Sequence, residues 1–151
     1  MSDYEIVKWE ANFELGIELI DNQHKELVRH INDLYKACLA GNQAADESFK
    51  ETMHLMVEYV RFHFGAEQEM LSRVKFPSYH EHKTQHDTLV ATILSTAQEF
   101  NDGKKLVPHR FVRSLKDWVM GHIAVYDKIY AAYISEQLAK GKITEKQING
   151  N

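Results

Sequence analysis

The sequence predicts an all-α protein, an up-down-up-down antiparallel four-helix bundle with an N-terminal arm packed along it. Three observations carry this. Four segments repeat apolar residues at helical spacing. No stretch alternates apolar and polar residues long enough to indicate a strand. The connections after the first three segments are short, so consecutive helices run antiparallel. Two prolines and seven glycines leave few breaks, which favours long helices.

Residues 1–20 contain Trp9, Phe13, Leu15, Ile17, Leu19 and Ile20, too apolar for a free tail, and read as the arm. The first helix, 21–40, carries His24, Leu27, Val28, Ile31, Leu34, Tyr35 and Cys38 on one stripe, with Asp21 as N-cap and Gly41 as stop. The second, 46–74, starts near Asp46; its stripe runs Phe49, Met53, Met56, Val57, Val60, His63, Phe64, Glu67, Met70, Leu71 and Val74. Pro77 separates it from the third, 79–102, where Ser78 and Glu81 have capping-box spacing. That stripe is His82, His86, Leu89, Val90, Ile93, Leu94, Ala97 and Phe100, and Gly103 is the stop. The fourth, 108–140, opens on Pro108, which suits a first helical turn. It carries Phe111, Leu115, Trp118, Val119, His122, Ile123, Tyr126 and Tyr130, and Gly141 ends it. Residues 142–151 read as a frayed tail.

A chain of 151 residues is enough for one domain with a sizeable core, and no repeat or composition shift marks a second. A net charge of −4 gives no reason to expect nucleic acid or an anionic membrane as partner. The N-terminus, MSDYEIVKWEANFELG, lacks the basic and apolar regions of a signal peptide. No apolar run is long enough to span a bilayer. A lone cysteine, Cys38, forms no internal disulfide and fits a reducing compartment, so a cytoplasmic protein is expected.

The composition is out of line in its nine histidines. Five fall on apolar stripes: His24, His63, His82, His86 and His122, with every helix contributing. Glu67 lies one turn beyond His63, and Asp127 lies five residues after His122, offset around an α-helix but within reach of the same centre. A single inward histidine is ordinarily a satisfied core residue. Five, with two carboxylates and few inward Lys or Arg, are different, because each unpaired buried ion costs several kcal/mol. A cation resolves the imbalance. Two imidazoles one turn apart, as in His82-x-x-x-His86, are a common helical chelate. Seven ligands exceed what one first-row ion takes, so the set points to two metals, with the carboxylates able to bridge them. Imidazole and carboxylate donors suit iron, manganese or zinc. The lack of thiolate ligands removes iron–sulfur clusters. The remaining histidines, His30, His54, His80 and His109, are off-stripe or terminal and read as ordinary surface or end residues.

These motifs resemble the hemerythrins, specifically single-domain bacteriohemerythrins. The likeness runs from "VKWEANFELGIELIDNQHKEL" through "HFGAEQEM" and "HEHKTQHDTL" to "WVMGHIAVYDKIY", and the H…HxxxE…HxxxH…HxxxxD set is filled at every position. The resemblance implies two Fe ions in a non-haem di-iron centre with an oxo or hydroxo bridge, taking O2 as a reversible ligand. By position it assigns His82, His86 and His122 to one iron and His24 and His63 to the other. Glu67 and Asp127 would bridge both, and O2 would bind at the iron with fewer ligands. Val119 stands where many members carry leucine beside the O2 pocket, with Phe64 and Ile123 as further wall candidates. The expected role is O2 carriage, storage or delivery rather than catalysis. The rivals are a di-iron enzyme acting on peroxide or nitric oxide, and an oxygen sensor or iron store. A separate oxygen-consuming or redox partner protein stays open.

Overall fold

The computed structural model describes residues 5–39, 43–101 and 108–150. Gly41 and Gly103, expected as helix stops, lie outside the described residues, as do the side chains of Asp46, Phe100 and His109. A 3-10 turn, Ala11–Phe13, sits in the arm. The helices are α1 (Glu18–Leu39), α2 (Gln43–Arg73), α3 (Tyr79–Asn101), α4 (Pro108–Gly121), α5 (Lys128–Ala139) and α6 (Glu145–Asn149). Between α4 and α5, His122–Asp127 forms a π-helical turn without interrupting the rod. The four main rods are antiparallel, and no strand occurs among the described residues. Among the described residues, no helix is long and apolar enough to cross a membrane.

Asp21 is not the N-cap of α1, which begins at Glu18. Its carboxylate instead reaches back and accepts from the backbone N–H of Leu15 at 2.8 Å and of Gly16 at 3.1 Å. Gly16 takes a left-handed φ of 82°, which turns the arm into the helix. Further out, the Asn32 side chain accepts from the N–H of Ile6 and Val7 and donates to the Val7 carbonyl. The arm therefore packs along the bundle by backbone bonds to α1 side chains as well as by apolar contact.

The expected frayed tail is also corrected. Thr144 caps α6 with a reciprocal Gln147 capping box, and Gly150 closes it at φ 78°. Ile143 and Ile148 are buried. The burial of two isoleucines supplies what the polar composition of this segment concealed.

Buried apolar residues fall into two layers. One is built from Leu27, Ile31, Met56, Val60, Phe64, Leu89, Ile93, Val119, Ile123 and their neighbours. The other holds Ile17, Ile20, Met70, Leu71, Val74, Phe76, Tyr130, Ile134, Ile143 and Ile148. On every main rod the chain passes from one layer to the other across a buried polar residue: His24 on α1, Glu67 on α2, His82 and His86 on α3, and Asp127 on the fourth rod.

Candidate metal centre

The polar slab between the layers contains the seven residues singled out from the sequence. His24, Glu67, His86 and Asp127 are 0 % exposed; His63, His82 and His122 are 1–5 %. Helical spacing explains how α1, α2 and α3 each aim their residues inward. The fourth rod needs more. Five residues overshoot an α-helical turn, but a π turn closes hydrogen bonds from i to i+5. The π turn covers His122–Asp127, so both ends of HxxxxD face the centre.

The atoms split into two sets that share the carboxylates. Glu67 Oε2 faces His63 Nε2 at 3.3 Å and His24 Nε2 at 3.6 Å. Its Oε1 faces His82 Nε2 at 2.6 Å and His86 Nε2 at 3.1 Å. Asp127 repeats the division: Oδ2 lies 3.3 Å from His24 Nε2, while Oδ1 lies 3.2 Å from His82 and 3.0 Å from His122. Two groups with metal-binding spacing result, His24–His63–Glu67 and Glu67–His82–His86–His122.

Hydrogen bonding does not satisfy this cluster. Among the described residues, both Asp127 oxygens, both ring nitrogens of His24 and Nε2 of His86 are buried without a well-formed hydrogen bond. The Nε2 atoms of His82 and His122 face each other at 3.3 Å. Orphaned acceptors converging in a dry interior are costly, and a shared cation is the arrangement that satisfies them together. The donor set, five imidazoles and two carboxylates, fits first-row transition metals.

Electrostatics point the same way. Burial acts to lower the His24 and His82 pKa values, but Asp127 and Glu67 facing them override it and lift both to about 9. Burial opposes ionisation of Glu67, yet the four imidazoles hold it well below the usual carboxylate range. Asp127 is likewise held low by His122, His24 and His82 against burial and the Glu67 charge. His86 is lowered, chiefly by burial. Without a metal, the carboxylates therefore stay ionised, and protons on His24 and His82 do the compensating.

Three partners that the sequence did not single out orient these groups. His63 Nδ1–H donates to Gln23 Oε1 at 2.8 Å, and His86 Nδ1–H to Gln68 Oε1 at 3.0 Å. Each bond leaves Nε2 as the lone-pair nitrogen facing the carboxylates. Tyr130, 0 % exposed, donates its hydroxyl to Glu67 Oε2 at 2.9 Å. The signals were available: Gln23 adjoins His24, Gln68 adjoins Glu67, and Tyr130 lies on the inward stripe with a polar tip.

Of the pocket candidates, Val119, Phe64 and Ile123 are buried in the same apolar layer. The Phe64 ring stacks on His86 with centroids 3.6 Å apart and lies 5.8 Å from His63, so it touches both halves. Trp118 stacks on His122 at 5.0 Å. Away from the cluster, His54 is exposed beside Glu58, His80 is exposed, and His30 packs on Tyr59.

Comparison with known proteins agrees with this geometry. The model of the hemerythrin HHE cation binding domain matches residues 15–134. The bacteriohemerythrin of Methylococcus capsulatus (strain Bath) is 26% identical over 125 residues, covering 83% of this chain and 93% of that protein. That of Clostridium acetobutylicum is 28% identical over 126 residues, covering 81% and 96%. The hemerythrin-like protein of Naegleria gruberi is 29% identical over 122 residues, covering 81% and 88%. A crystal structure of wild-type hemerythrin superposes with a TM-score of 0.79 at 26% identity, covering 84% of this chain and 96% of that one.

Proposed function

The chain belongs to the hemerythrin family, and on that footing we propose that it binds O2 reversibly at a di-iron centre, for carriage, storage or delivery in the cytoplasm. The observation that carries the reading is the division of each carboxylate: one oxygen of Glu67 and of Asp127 faces His24, while the other faces His82. That is what two bridging ligands require. In this reading His82, His86 and His122 hold one iron, His24 and His63 the other, and Glu67 and Asp127 both. A ferrous pair held by these residues would supply the reversible two-electron chemistry that O2 binding needs.

The protein's part is to orient, to balance charge and to keep water out. Gln23 and Gln68 fix the tautomers of His63 and His86, so their Nε2 atoms are ready as donors. The two carboxylates would offset part of the charge of two ferrous ions, which would make burial of the pair tolerable. Val119, Phe64 and Ile123 form the apolar wall that keeps bulk water from the open side and so slows irreversible oxidation. Five neutral imidazoles against two carboxylates favour return to the ferrous state more than a carboxylate-rich set would.

The rival reading is a di-iron enzyme acting on peroxide or nitric oxide. The buried Tyr130 hydroxyl donates to Glu67, so it serves to orient a carboxylate. The test is visible spectroscopy of the anaerobically reduced, iron-loaded chain. An absorption band that appears with O2 and disappears under argon over repeated cycles supports carriage. A band that bleaches after one exposure overturns it in favour of an enzyme.

A further inference from the structure

We propose that α6, locked by Arg73, is a positioning element for the metal centre: it holds Tyr130 against Glu67 and thereby slows metal loss. This rests on the di-iron reading above. The helix lies beyond residues 15–134, which match the family model.

The connection can be followed atom by atom. Arg73, in the last turn of α2, donates from Nε to the Gln147 carbonyl at 2.6 Å and from Nη2 to the Ile148 carbonyl at 3.1 Å. Gln147 Nε2 donates back to the Arg73 carbonyl at 3.3 Å. These bonds seat α6 on α2, six residues beyond Glu67. Beneath it, Ile143 and Ile148 join Met70, Leu71, Ile134 and Tyr130 in one buried layer. Tyr130 meets Glu67 at the top of that layer. One turn further on, Tyr133 donates to the carbonyls of Val74 and Lys75, tying α5 to the end of α2. The Tyr130 ring meets Phe76 and His82 edge-on within the buried layer to which Ile148 of α6 belongs. A hydrogen bond to a bridging carboxylate aims its oxygens, and outer partners of this kind typically change metal affinity about 10–100-fold. If α6 lifts, the layer loses Ile148, water gains access, and Tyr130 loses its fixed approach.

The experiment measures iron release from the loaded full chain to excess ferrous chelator, in wild type, Arg73→Ala, Tyr130→Phe and the double variant. Tyr130→Phe should speed release about tenfold or more. Arg73→Ala should speed it by a smaller factor, roughly three- to tenfold, and the double variant should be no faster than Tyr130→Phe alone. The visible band of the oxidised, loaded protein should shift in the same direction in both single variants. An unchanged release rate in Arg73→Ala, multiplying factors in the double variant, or a band that stays put while melting temperature falls would overturn the proposal. Should Arg73→Ala fail to fold, Gly150→Ala decides by the same release and band readouts. A Cβ there meets the Arg73 guanidinium at 3.3 Å and the left-handed backbone resists it, so it loosens the latch from the periphery. A wild-type chain that takes up no iron overturns the di-iron reading itself; iron uptake with insensitive variants overturns only the role of α6.

Discussion

Glu67→Gln conserves volume and removes one buried charge. The carboxylate is fully buried and faces four imidazoles at 2.6–3.6 Å, plus the Tyr130 hydroxyl. An amide offers one oxygen and one NH2, so only one half of the site keeps an acceptor. Removing one partner from a buried charge set costs about 3–5 kcal/mol, or about two to three and a half orders of magnitude in affinity. Thermal unfolding reads this directly. Free metal at a thousand times the Kd stabilises by about 4 kcal/mol per site. A chain of this size shifts by about 2–4 °C per kcal/mol. Loading should therefore raise the wild-type melting temperature by about 8–16 °C per site, and Glu67→Gln should lose most of that rise. The metal-free variant should melt somewhat below the metal-free wild type at neutral pH, because His24 and His82 keep Asp127 but lose the second carboxylate that holds them charged. Elemental analysis after dialysis checks occupancy. A Glu67→Gln protein that keeps the full metal content and the full loading-dependent rise would refute the reasoning.

The remaining expectations concern pH, the pocket wall and the arm. In the metal-free protein, His24 and His82 are raised from 6.5 to about 9, so their contribution to stability is complete below pH 6.5 and is lost as pH rises through about 9. Urea titrations of metal-free protein should show that decline, and apparent metal affinity should climb over the same window as displaced protons cease to compete; pH-independent loading would contradict it. At Val119, decay of the oxygenated band should be slower in Val119→Leu and faster in Val119→Ala, because added apolar volume excludes water; the larger side chain risks about 1–3 kcal/mol of overpacking. Equal decay rates with altered stability would make Val119 core packing alone. Asp21→Ala removes the acceptor for the Leu15 and Gly16 amides and should cost about 1–3 kcal/mol. Hydrogen exchange at those amides should rise; unchanged protection would show that the arm is held by its apolar residues.

The rods and the inward cluster were legible because both are written in spacing. Apolar residues at helical intervals locate the core face, and a histidine or carboxylate on that face has to be buried with it. What lay outside spacing was harder. The π turn changes the helical repeat without any composition signal, although the five-residue gap between His122 and Asp127 was its trace. Asp21 reads as an N-cap from sequence because caps are the commonest use of such a residue, but its carboxylate serves amides upstream of the helix it belongs to. The tail reads as frayed because Thr, Glu, Lys, Gln, Asn and Gly dominate it. Its structure depends on two isoleucines and on Arg73, some seventy residues earlier in the chain, which no local pattern connects. Gln23, Gln68 and Tyr130 carried a weaker signal, their position beside the ligands or on the inward stripe, but their roles are contacts between helices that spacing along one helix does not specify.

Iron stoichiometry tests the two-metal site most directly. Metal-free chain, loaded anaerobically with ferrous ion and freed of excess, should hold two irons per chain, and the second should be lost when either His24 or His63 is replaced by alanine while the first stays. One iron in the unmodified chain, two irons retained in the His24 and His63 variants, or no retained metal would contradict it.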